Sequence, residues 1–544
     1  MFINSTYQDA MNRLGCCVVP LLSQKSVDAL LALHGQSFSS PSGEGLVANH
    51  NSTPAEQALH VSHQIEHIVG NELSELFRDY TFFVGHFMVK QAKTMDEFPL
   101  HQDWNIVHEA NFGSYQIWIP LQLTDSSNGG MFYVPESHAL FNNYRSGSFN
   151  ISRIPTDDAI APWIQHAIVP TGKAFVYSNA LFHASCPNQS SQDRISVILN
   201  IVAKDAPTYY FHYLQQQEKA ACYTITNQTL LQHLPALEEG LVPFSELPHH
   251  TEDIPGHINN RALTSEALAQ AIRTKRAQER NQQSTLMFPV LKSIELENEV
   301  VQNGFVVLPF LNDAQVERAR ELWNTSWEGE SNGIYTTLMS LESTSRKAIH
   351  RALIDLMQAN LEALFQDHHI PICQFFVKHP NPNGAIGLHT DSTLLLNPQL
   401  EPHYAIWIPL QDVDTQNGTL MVVPESHNWN NGIAAASVPW PFVSKMEAIL
   451  PKAVPLKLKA GQLVLFDNRL LHGSTINQSA NSRLCIAGRV THLLSSYYSF
   501  WKRENDDRIG VYAEDQNIYL SEEWAGDRKQ HSDGDYLGSI AQNN

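Results

Sequence analysis

The phrase HQDWNIVHEANFGSYQIWIPLQ spans residues 101–122, and the related phrase HTDSTLLLNPQLEPHYAIWIPLQ spans residues 389–411. Both begin with His-x-Asp and both end with Ile-Trp-Ile-Pro-Leu-Gln. The match extends outward, because NGGMFYVPESH (128–138) aligns with NGTLMVVPESH (417–427) at an offset of 289 residues. GCCVVPLLSQKSVDAL from Gly15 aligns with GFVVLPFLNDAQVERA from Gly304 at the same offset. Solenoid and propeller repeats are only about 20–50 residues long, so the sequence predicts two tandem copies of a whole domain.

The composition of the chain disfavours several classes of partner. Its 544 residues exceed one ordinary domain, and 43% of them are hydrophobic. A formal net charge of −20 disfavours nucleic acid, which proteins bind through lysine and arginine. No apolar run approaches the roughly 18 residues of a membrane span, and the start lacks signal-peptide features. Six cysteines without a CxxC pair indicate a reducing compartment. We therefore expect a cytoplasmic protein with no nucleic-acid or membrane partner.

Short apolar and aromatic runs separated by turn residues predict mostly β-strands in each copy. TFFVGHFMVK (81–90), SYQIWIPLQ (114–122) and RISVILNIVA (194–203) are examples, and the second copy repeats the pattern. Helical patterns such as SVDALLALHGQ gather at the front of each copy. The predicted fold class is mainly β with flanking helices (α+β), as two tandem sandwich or double-sheet jelly-roll domains.

A polar stretch separates the two copies. Residues 245–284 contain helix formers with Thr264 or Ser265 placed to cap them, which predicts a mostly exposed helix over 264–281. The predicted division is a first domain over 1–250, a helical linker over 251–290 and a second domain over 291–544. We expect the two domains to pack as a pseudo-dimer within one chain.

Each copy contains a His-x-Asp pair, a distal histidine and, eleven residues further on, an arginine. These residues are His101, Asp103, His183 and Arg194 in the first copy, and His389, Asp391, His472 and Arg483 in the second. Alternate residues of a strand face the same side, so His-x-Asp can present an imidazole and a carboxylate to one ion. A histidine from a neighbouring strand would complete a 2-His-1-carboxylate facial triad, which is typical of non-haem Fe(II) oxygenases.

One His-x-Asp in a chain with 26 histidines is weak evidence for a metal site. The HSD at 531–533 has no distal histidine after it and is not a candidate. His138 and His427, which recur in VPESH, lack a carboxylate partner, and we expect them to have a structural role bordering the pocket. Two complete sets in register are harder to explain by structure alone, and they favour metal binding in at least one copy.

These motifs in combination resemble the phytanoyl-CoA dioxygenase family of Fe(II)/2-oxoglutarate-dependent oxygenases. The first copy shows HQD, IWIPLQ, NGG, VPESH and HASCPNQSSQDR, and the second shows HTD, IWIPLQ, NGT, VPESH and HGSTINQSANSR. The resemblance covers most of each copy and implies a double-stranded β-helix (jelly-roll, cupin-like) core. It also implies Fe(II) held by the two triads as catalytic metal ligands, 2-oxoglutarate as co-substrate, and O2.

The resemblance further implies a pocket for 2-oxoglutarate in each domain. By this likeness Arg194 and Arg483 bind the distal carboxylate, and Ser185 and Ser474 donate hydroxyl groups to it. A guanidinium meets a carboxylate through two parallel donors and stays charged, which suits a dianion in an acidic protein.

Two lysines at matching positions have two possible roles. Lys90 and Lys378 each stand eleven residues before the His-x-Asp pair, at the end of an apolar run. One role adds positive charge to the co-substrate pocket, and the other is a strand end whose ammonium group reaches solvent.

The predicted activity is hydroxylation, or another oxidation such as desaturation or ring closure, of a small-molecule substrate. An aspartate in each triad disfavours halogenation, because related halogenases have a small residue there. The loops beside the two triads differ, and loops carry specificity on rigid scaffolds. Two oxidation steps on one metabolite, a role in natural-product biosynthesis, and one catalytic domain beside a structural or substrate-binding one all stay open. The rival classes are a non-enzymatic metal-binding jelly-roll protein and a zinc hydrolase, in which the paired arginines have no role.

Overall fold

The structure is a computed structural model that describes residues 1–37, 45–49, 53–95, 97–141, 143–241, 250–254, 260–279, 284–326, 333–381, 384–429, 432–438, 440–502, 507–522 and 536–541. The chain divides into two compact units, Met1–Arg280 and Asn281–Asn544. Each unit contains one copy of the repeat and is described by itself. The HSD at 531–533 lies outside the described residues.

In the first unit, helices lie mostly near the beginning and the end of the sequence, and most of the strands lie between them. Its helices are α1 (Ser5–Leu14), α2 (Gln24–Ser37), α3 (Ala55–Leu76), α4 (Asn227–Glu238) and α5 (Ser265–Glu279). Its strands are β1 (Cys16–Pro20), β2 (Leu46–Ala48), β3 (Tyr80–Lys90), β4 (Phe98–His101), β5 (Ser114–Pro120), β6 (Met131–Tyr133), β7 (Gln165–His166), β8 (Lys173–Ser178), β9 (His183–Ser185), β10 (Arg194–Ala203), β11 (Tyr209–Leu214), β12 (Lys219–Thr224) and β13 (His250–Ile254).

A six-stranded antiparallel sheet with the order β1-β8-β5-β10-β3-β2 is the main layer of the first unit. Strand β5 carries the repeated IWIP run and lies between β8 and β10. Ile117, Trp118 and Ile119 are all buried, so neither face of this strand meets solvent. This double burial explains why the run is continuously apolar and does not alternate.

A smaller four-stranded sheet, with the order β4-β9-β6-β7, holds the His-x-Asp pair of the first unit. The main sheet reaches this smaller sheet through Lys90 at the end of β3, whose ammonium group donates to Ser185 on β9. A third, three-stranded sheet contains β11, β12 and β13. Between β3 and β10 the chain passes repeatedly from one of the first two sheets to the other, as in a double-sheet jelly roll.

The second unit repeats this arrangement. Its helices are α6 (Ile294–Asn303), α7 (Asp313–Ser326), α8 (Thr337–Ser340), α9 (Ser343–Leu364) and α10 (Met446–Ile449). Its strands are β14 (Phe305–Pro309), β15 (Ile334–Thr336), β16 (His368–His369), β17 (Cys373–Lys378), β18 (Ile386–His389), β19 (His403–Pro409), β20 (Leu420–Val422), β21 (Val454–Pro455), β22 (Gln462–Asp467), β23 (His472–Ser474), β24 (Arg483–His492), β25 (Tyr497–Lys502), β26 (Arg508–Glu514) and β27 (Tyr536–Ala541).

The strand orders of the second unit match those of the first. The main sheet runs β14-β22-β19-β24-β17-β15, with β16 added beside β24, and the smaller sheet runs β18-β23-β20-β21. A three-stranded sheet of β25, β26 and β27 follows. The prediction of two tandem, mainly β jelly-roll domains with flanking helices is confirmed.

The two longest described helices, α3 and α9, are amphipathic. Helix α9 buries Ile349, Leu353, Met357 and Leu361, whose spacing of four residues places them on one face. This face packs against the main sheet of its unit, in one cluster with Phe375. Among the described residues, no helix combines the length and the apolar character that crossing a membrane requires.

Helix α5 occupies the stretch between the two copies, where the sequence predicts a mostly exposed helix over 264–281. One of its faces is buried: Leu268, Ala269 and Ile272 pack in a cluster with Leu100 and Phe132. The helix therefore lies within the compact unit Met1–Arg280 and packs onto the first jelly roll. Three apolar residues on one face are enough to hold an otherwise polar helix to the domain.

The recurring histidines of VPESH lie against the front helices. His138 Nε2 is 3.2 Å from the carbonyl oxygen of Asn12, and His427 Nε2 is 2.9 Å from that of Val301. Each side chain packs over the glycine that ends a front helix: His138 over Gly15 and His427 over Gly304. At Gly15 the backbone angle φ is +79°. A Cβ at Gly15 would lie 2.5 Å from His138 Nδ1, so the close approach requires glycine.

Candidate metal centres

The first candidate centre lies where β4 and β9 pair. His101 is directly opposite His183 in this antiparallel register, and their rings are 4.4 Å apart. Asp103 lies between the two rings: one carboxylate oxygen, Oδ1, is 3.7 Å from His101 Nε2. Its other oxygen, Oδ2, is 3.7 Å from His183 Nε2. The three predicted ligands of the first domain are therefore brought together.

Backbone carbonyls orient both imidazoles of this centre. His101 Nδ1 is 2.9 Å from the carbonyl oxygen of Pro99, and His183 Nδ1 is 3.0 Å from that of Leu181. Because a carbonyl only accepts hydrogen bonds, each Nδ1 carries the proton and each Nε2 presents its lone pair to the centre. Asp103 Oδ2 is buried and has no hydrogen-bond partner among the described residues. These donors suit a divalent iron ion bound by nitrogen and oxygen.

The second candidate centre has the same framework in β18 and β23. His389 Nδ1 is 2.8 Å from the carbonyl oxygen of Gly387, and His472 Nδ1 is 2.9 Å from that of Leu470. The two rings are again 4.4 Å apart, and His472 Nε2 is 3.6 Å from Asp391 Oδ2. Both predicted triads are thus assembled, each as a cluster of three donor atoms within 4.8 Å of one another.

Burial keeps two of the ligand imidazoles, those of His101 and His472, neutral near pH 7. Burial, followed by the charge of His183, lowers the pKa of His101 to about 4. Burial likewise lowers the pKa of His472 to about 4. Burial raises the pKa of Asp391, but the positive charge of Arg489 and, at acidic pH, those of the protonated histidines outweigh it, and the pKa falls to about 2. Neutral imidazoles and an ionised carboxylate are the protonation states that bind metal.

A basic cluster lies beside the first triad. Arg194 on β10 pairs with Lys90 on β3 in the antiparallel register, so both side chains emerge at one level of the main sheet. Lys90 Nζ donates to Ser185 Oγ over 3.0 Å, and the lysine is buried. The ammonium group therefore does not reach solvent, and it lies close to the predicted co-substrate arginine.

The second domain repeats this cluster with Arg483, Lys378 and Ser474. Arg483 pairs with Lys378 in the register, and Lys378 Nζ is 2.6 Å from Ser474 Oγ and 2.6 Å from the carbonyl oxygen of Thr475. Burial and then the charge of Arg483 lower the pKa of Lys378 to about 7.

Both arginines are buried cations with free donors. Arg194 and Arg483 form no salt bridge with any described residue, and the Nε of each has no hydrogen-bond partner there. Each guanidinium stacks over a tryptophan, 5.4 Å from the ring centre of Trp118 and 5.2 Å from that of Trp407. A buried cation whose donors face a cavity favours an anionic ligand, and the distal carboxylate of 2-oxoglutarate fits this requirement.

The cavity of the first domain is the larger of the two. Its volume is about 920 Å³, and it holds the triad and Arg194 together with aromatic and polar wall residues. Its wall includes the aromatic side chains of Phe98, Trp104 and Phe149 and the charged side chains of Arg153 and Glu238. A small organic molecule fits beside 2-oxoglutarate in a cavity of this size.

The cavity of the second domain has a volume of about 250 Å³. Two of its lining residues, Arg489 and Tyr519, were not predicted from the sequence. Tyr519 lies in a 3-10 turn, Ile518–Leu520, that is held to α9 because Ser343 Oγ donates to the carbonyl oxygen of Leu520 over 2.8 Å. Arg489 lies six residues after Arg483 on β24, so strand alternation was the available signal that both side chains face the cavity.

Comparison with known proteins assigns the family. The model of the phytanoyl-CoA dioxygenase family, "Phytanoyl-CoA dioxygenase (PhyH)", matches residues 16–196 and again 300–485. These two matches cover more than half of the chain and fall one on each jelly roll. The chain belongs to the phytanoyl-CoA dioxygenase family, as a tandem duplication, and the resemblance predicted from the motifs is confirmed.

Individual relatives are distant. A phytanoyl-CoA dioxygenase domain-containing protein 1 of Danio rerio is 29% identical over 140 residues, which are 24% of this chain and 46% of the relative. Phytanoyl-CoA dioxygenase 1 of Oryza sativa subsp. japonica is 27% identical over 138 residues, again 24% and 46%. The chain thus spans about half the length of these relatives.

Solved structures show local similarity at low scores. The carbocyclase SnoK from nogalamycin biosynthesis is 18% identical, over 37% of this chain and 85% of SnoK, with a TM-score of 0.29. HygX from Streptomyces hygroscopicus, solved with nickel, 2-oxoglutarate and hygromycin B, is 17% identical over 36% of this chain and 86% of HygX, with a TM-score of 0.28. At these scores the ligands of HygX and the reaction of SnoK remain properties of those proteins.

Proposed function

We propose that this protein is a non-haem Fe(II)- and 2-oxoglutarate-dependent dioxygenase that hydroxylates a small metabolite. The observation that carries the proposal is the same in both domains. Two imidazoles with their lone pairs turned inward and one carboxylate surround a point, and a buried arginine without an acidic partner lies next to it. In a zinc hydrolase or a non-enzymatic metal-binding jelly-roll protein, this arginine would have no role.

The ligands of the first ion are His101 Nε2, Asp103 and His183 Nε2, and the second domain uses His389, Asp391 and His472. Iron bound by these residues would supply, together with 2-oxoglutarate and O2, the oxidising power to insert one oxygen atom into a C–H bond. The other oxygen atom enters succinate, and the 2-oxoglutarate carboxyl group leaves as carbon dioxide.

The protein's own residues bind and orient the co-substrate. Arg194 receives the distal carboxylate of 2-oxoglutarate through its partnerless Nε and a second guanidinium nitrogen. Ser185, held by Lys90 Nζ, donates its hydroxyl to the same carboxylate. In the second domain Arg483, Ser474 and Lys378 have these tasks. The fixed positive charge offsets the two negative charges of 2-oxoglutarate in a buried site.

The substrate binds in the first domain, where the cavity of about 920 Å³ leaves room beside 2-oxoglutarate. The aspartate in each triad fills the position that a halogenase leaves to chloride, which supports hydroxylation. The cavity of about 250 Å³ in the second domain gives specific support to the alternative that only one domain is catalytic. The buried thiols of all six cysteines support a reducing, cytoplasmic location.

An anaerobic titration of metal-free protein with Fe(II) under excess 2-oxoglutarate tests the proposal. The visible charge-transfer absorption of iron chelated by the keto acid reports how many centres form. Two equivalents of iron would support two oxygenase centres, and one equivalent, abolished by Asp103→Ala, would support catalysis by the first domain alone. If the charge-transfer absorption does not appear and no succinate is released in the presence of oxygen, the proposed dioxygenase function is rejected.

A further inference from the structure

In the second centre a cation contacts the ligand carboxylate, whereas no lysine or arginine among the described residues forms a salt bridge with Asp103 in the first centre. Arg489 Nη2 lies 2.7 Å from Asp391 Oδ2, in a salt bridge whose two side chains are 22% and 17% exposed. The same oxygen, Oδ2, is the one that lies 3.6 Å from His472 Nε2 and faces the centre. Arg489 therefore occupies the metal-facing side of the ligand carboxylate.

The residue at the corresponding position of the first domain is neutral. The offset of 289 residues aligns Arg489 with Asn200, which lies six residues after Arg194 on β10. Asn200 Nδ2 is 3.3 Å from Asn179 Oδ1 and 3.4 Å from the carbonyl oxygen of Tyr115. Its amide is thus directed to neighbouring strands, and the side chain that interacts with Asp103 in the first domain is the neutral hydroxyl of Tyr177.

We propose that Arg489 competes with the divalent metal ion for Asp391, so that the second centre binds metal more weakly than the first. This inference rests on the proposed metal-binding function. A metal ion that enters the second centre must either displace the guanidinium from Oδ2 or share one carboxylate with it. Displacement costs a charge-assisted hydrogen bond, and sharing places two like charges close together in a partly buried site.

If Arg489 instead oriented Asp391 for metal binding, its removal would change the metal affinity of the second centre in the opposite direction. Groups that hydrogen-bond a metal ligand often hold it in the right orientation, and their removal typically weakens metal binding about 10–100-fold. If Arg489 acted in this way, its removal would weaken the second centre. If it competes with the ion, its removal strengthens the second centre. The direction of the change therefore separates a competing residue from an orienting one.

The first experiment is a Mn(II) titration of the metal-free, full-length protein, with free Mn(II) measured by its electron paramagnetic resonance signal. We expect one tight and one weak site, whose dissociation constants differ at least about tenfold, the lower end of what partners of a metal ligand typically contribute. The variant Asp103→Ala should abolish the tight site, and Asp391→Ala should abolish the weak one. Two sites of equal affinity would overturn the inference, whereas no Mn(II) binding at all would reject the proposed function itself.

The second experiment exchanges the two residues. Arg489→Asn should tighten the weak site about tenfold or more, and Asn200→Arg should weaken the tight site by a similar factor. Arg489→Lys is the matched control, because it keeps a positive charge beside Asp391 and should leave the second site weak. Weaker binding in Arg489→Asn would overturn the inference. Should an exchanged variant not fold, shown by a lost thermal transition, the wild-type affinities and the Arg489→Lys variant still decide.

Discussion

The two domains share the residues that we propose as metal ligands and co-substrate contacts, and they differ in the residues that surround these. Both have two histidines tied to backbone carbonyls, an aspartate, and an arginine that pairs with a lysine across two strands. Beside these, Tyr177 of the first domain corresponds to Phe466 of the second, and the cavities measure about 920 Å³ and about 250 Å³. The duplication has kept the residues that we propose to hold iron and 2-oxoglutarate, while the residues that line the two cavities differ.

The largest expected effect comes from removing one ligand carboxylate at a time. Asp103→Ala should lower oxygen-dependent succinate release more than about 100-fold, since the loss of an outer partner of a metal ligand alone costs about 10–100-fold. Asp391→Ala should leave at least about half of the release, because the second cavity is small and its carboxylate is shared with Arg489. Succinate measured at saturating Fe(II) and 2-oxoglutarate checks both variants. Equal losses would show that the two centres contribute alike.

The shared parts could be predicted from the sequence, because they lie in strands and repeat. His-x-Asp on alternate positions, a distal histidine and an arginine at a fixed spacing need only strand geometry and a second copy for comparison. The jelly-roll class follows from short apolar runs such as the one at 114–122, which β5 matches closely. In each case the residues could be recognised from a spacing that recurs in both copies.

The parts that differ could not be predicted in this way. The pairing of Arg489 with Asp391 depends on how close β24 passes to the end of β18, which no local pattern encodes. Tyr519 reaches its cavity from a turn far along the chain, and cavity volume depends on how loops pack. The buried face of α5 depends on three apolar residues in a polar helix, a weak signal beside its many charges.

The next largest effect is expected on 2-oxoglutarate affinity, and it tests whether Arg194 and Arg483 bind this co-substrate equally. Arg194→Met should raise the 2-oxoglutarate concentration that half-saturates the first centre at least about 30-fold, because truncating one partner of a buried charge pair costs about 2 kcal/mol or more. Arg483→Met should have the same effect on the second centre. Titration of the iron charge-transfer band checks both.

Arg194→Lys is the control for this test, because it keeps the charge but loses the two parallel donors. We expect an intermediate loss of affinity for this variant. Thermal unfolding should show that each variant folds, since the guanidinium of Arg194 also stacks on Trp118. A normal 2-oxoglutarate affinity in a folded Arg194→Met variant would remove this residue from the co-substrate site.

A smaller effect should appear in the pH dependence of the second centre. Burial and Arg483 lower the pKa of Lys378 to about 7, so its ammonium form is present below that pH and is lost as the pH rises through it. Because a dianion binds better beside the cation, 2-oxoglutarate affinity should fall by up to about tenfold per pH unit above this pKa. An Arg194→Met background isolates the second centre, and titrations between pH 6 and about 8.5 give the slope. Lys378→Met should remove it, and a slope that persists would assign the dependence to another group.

The smallest expected effect concerns the atom that accepts a hydrogen bond from each arginine. Arg194 Nη1 donates to Ser196 Oγ over 2.6 Å, whereas Arg483 Nη1 lies 2.8 Å from Cys485 Sγ. A thiol is a weaker acceptor than a hydroxyl, so the second guanidinium is held less firmly. A neutral hydrogen bond contributes about 0.5–1.5 kcal/mol, and only part of this changes with the acceptor. Cys485→Ser should therefore tighten 2-oxoglutarate binding at the second centre about threefold.

The reciprocal variant, Ser196→Cys, sharpens the same comparison in the first domain. It should loosen 2-oxoglutarate binding there by a similar factor, because the larger and weaker sulfur replaces an oxygen that also donates to the carbonyl oxygen of Met88 over 3.0 Å. The two changes should have opposite signs when affinities are measured side by side. If both variants weakened binding, steric fit around each arginine would outweigh acceptor strength, and the two co-substrate sites would differ in shape more than in chemistry.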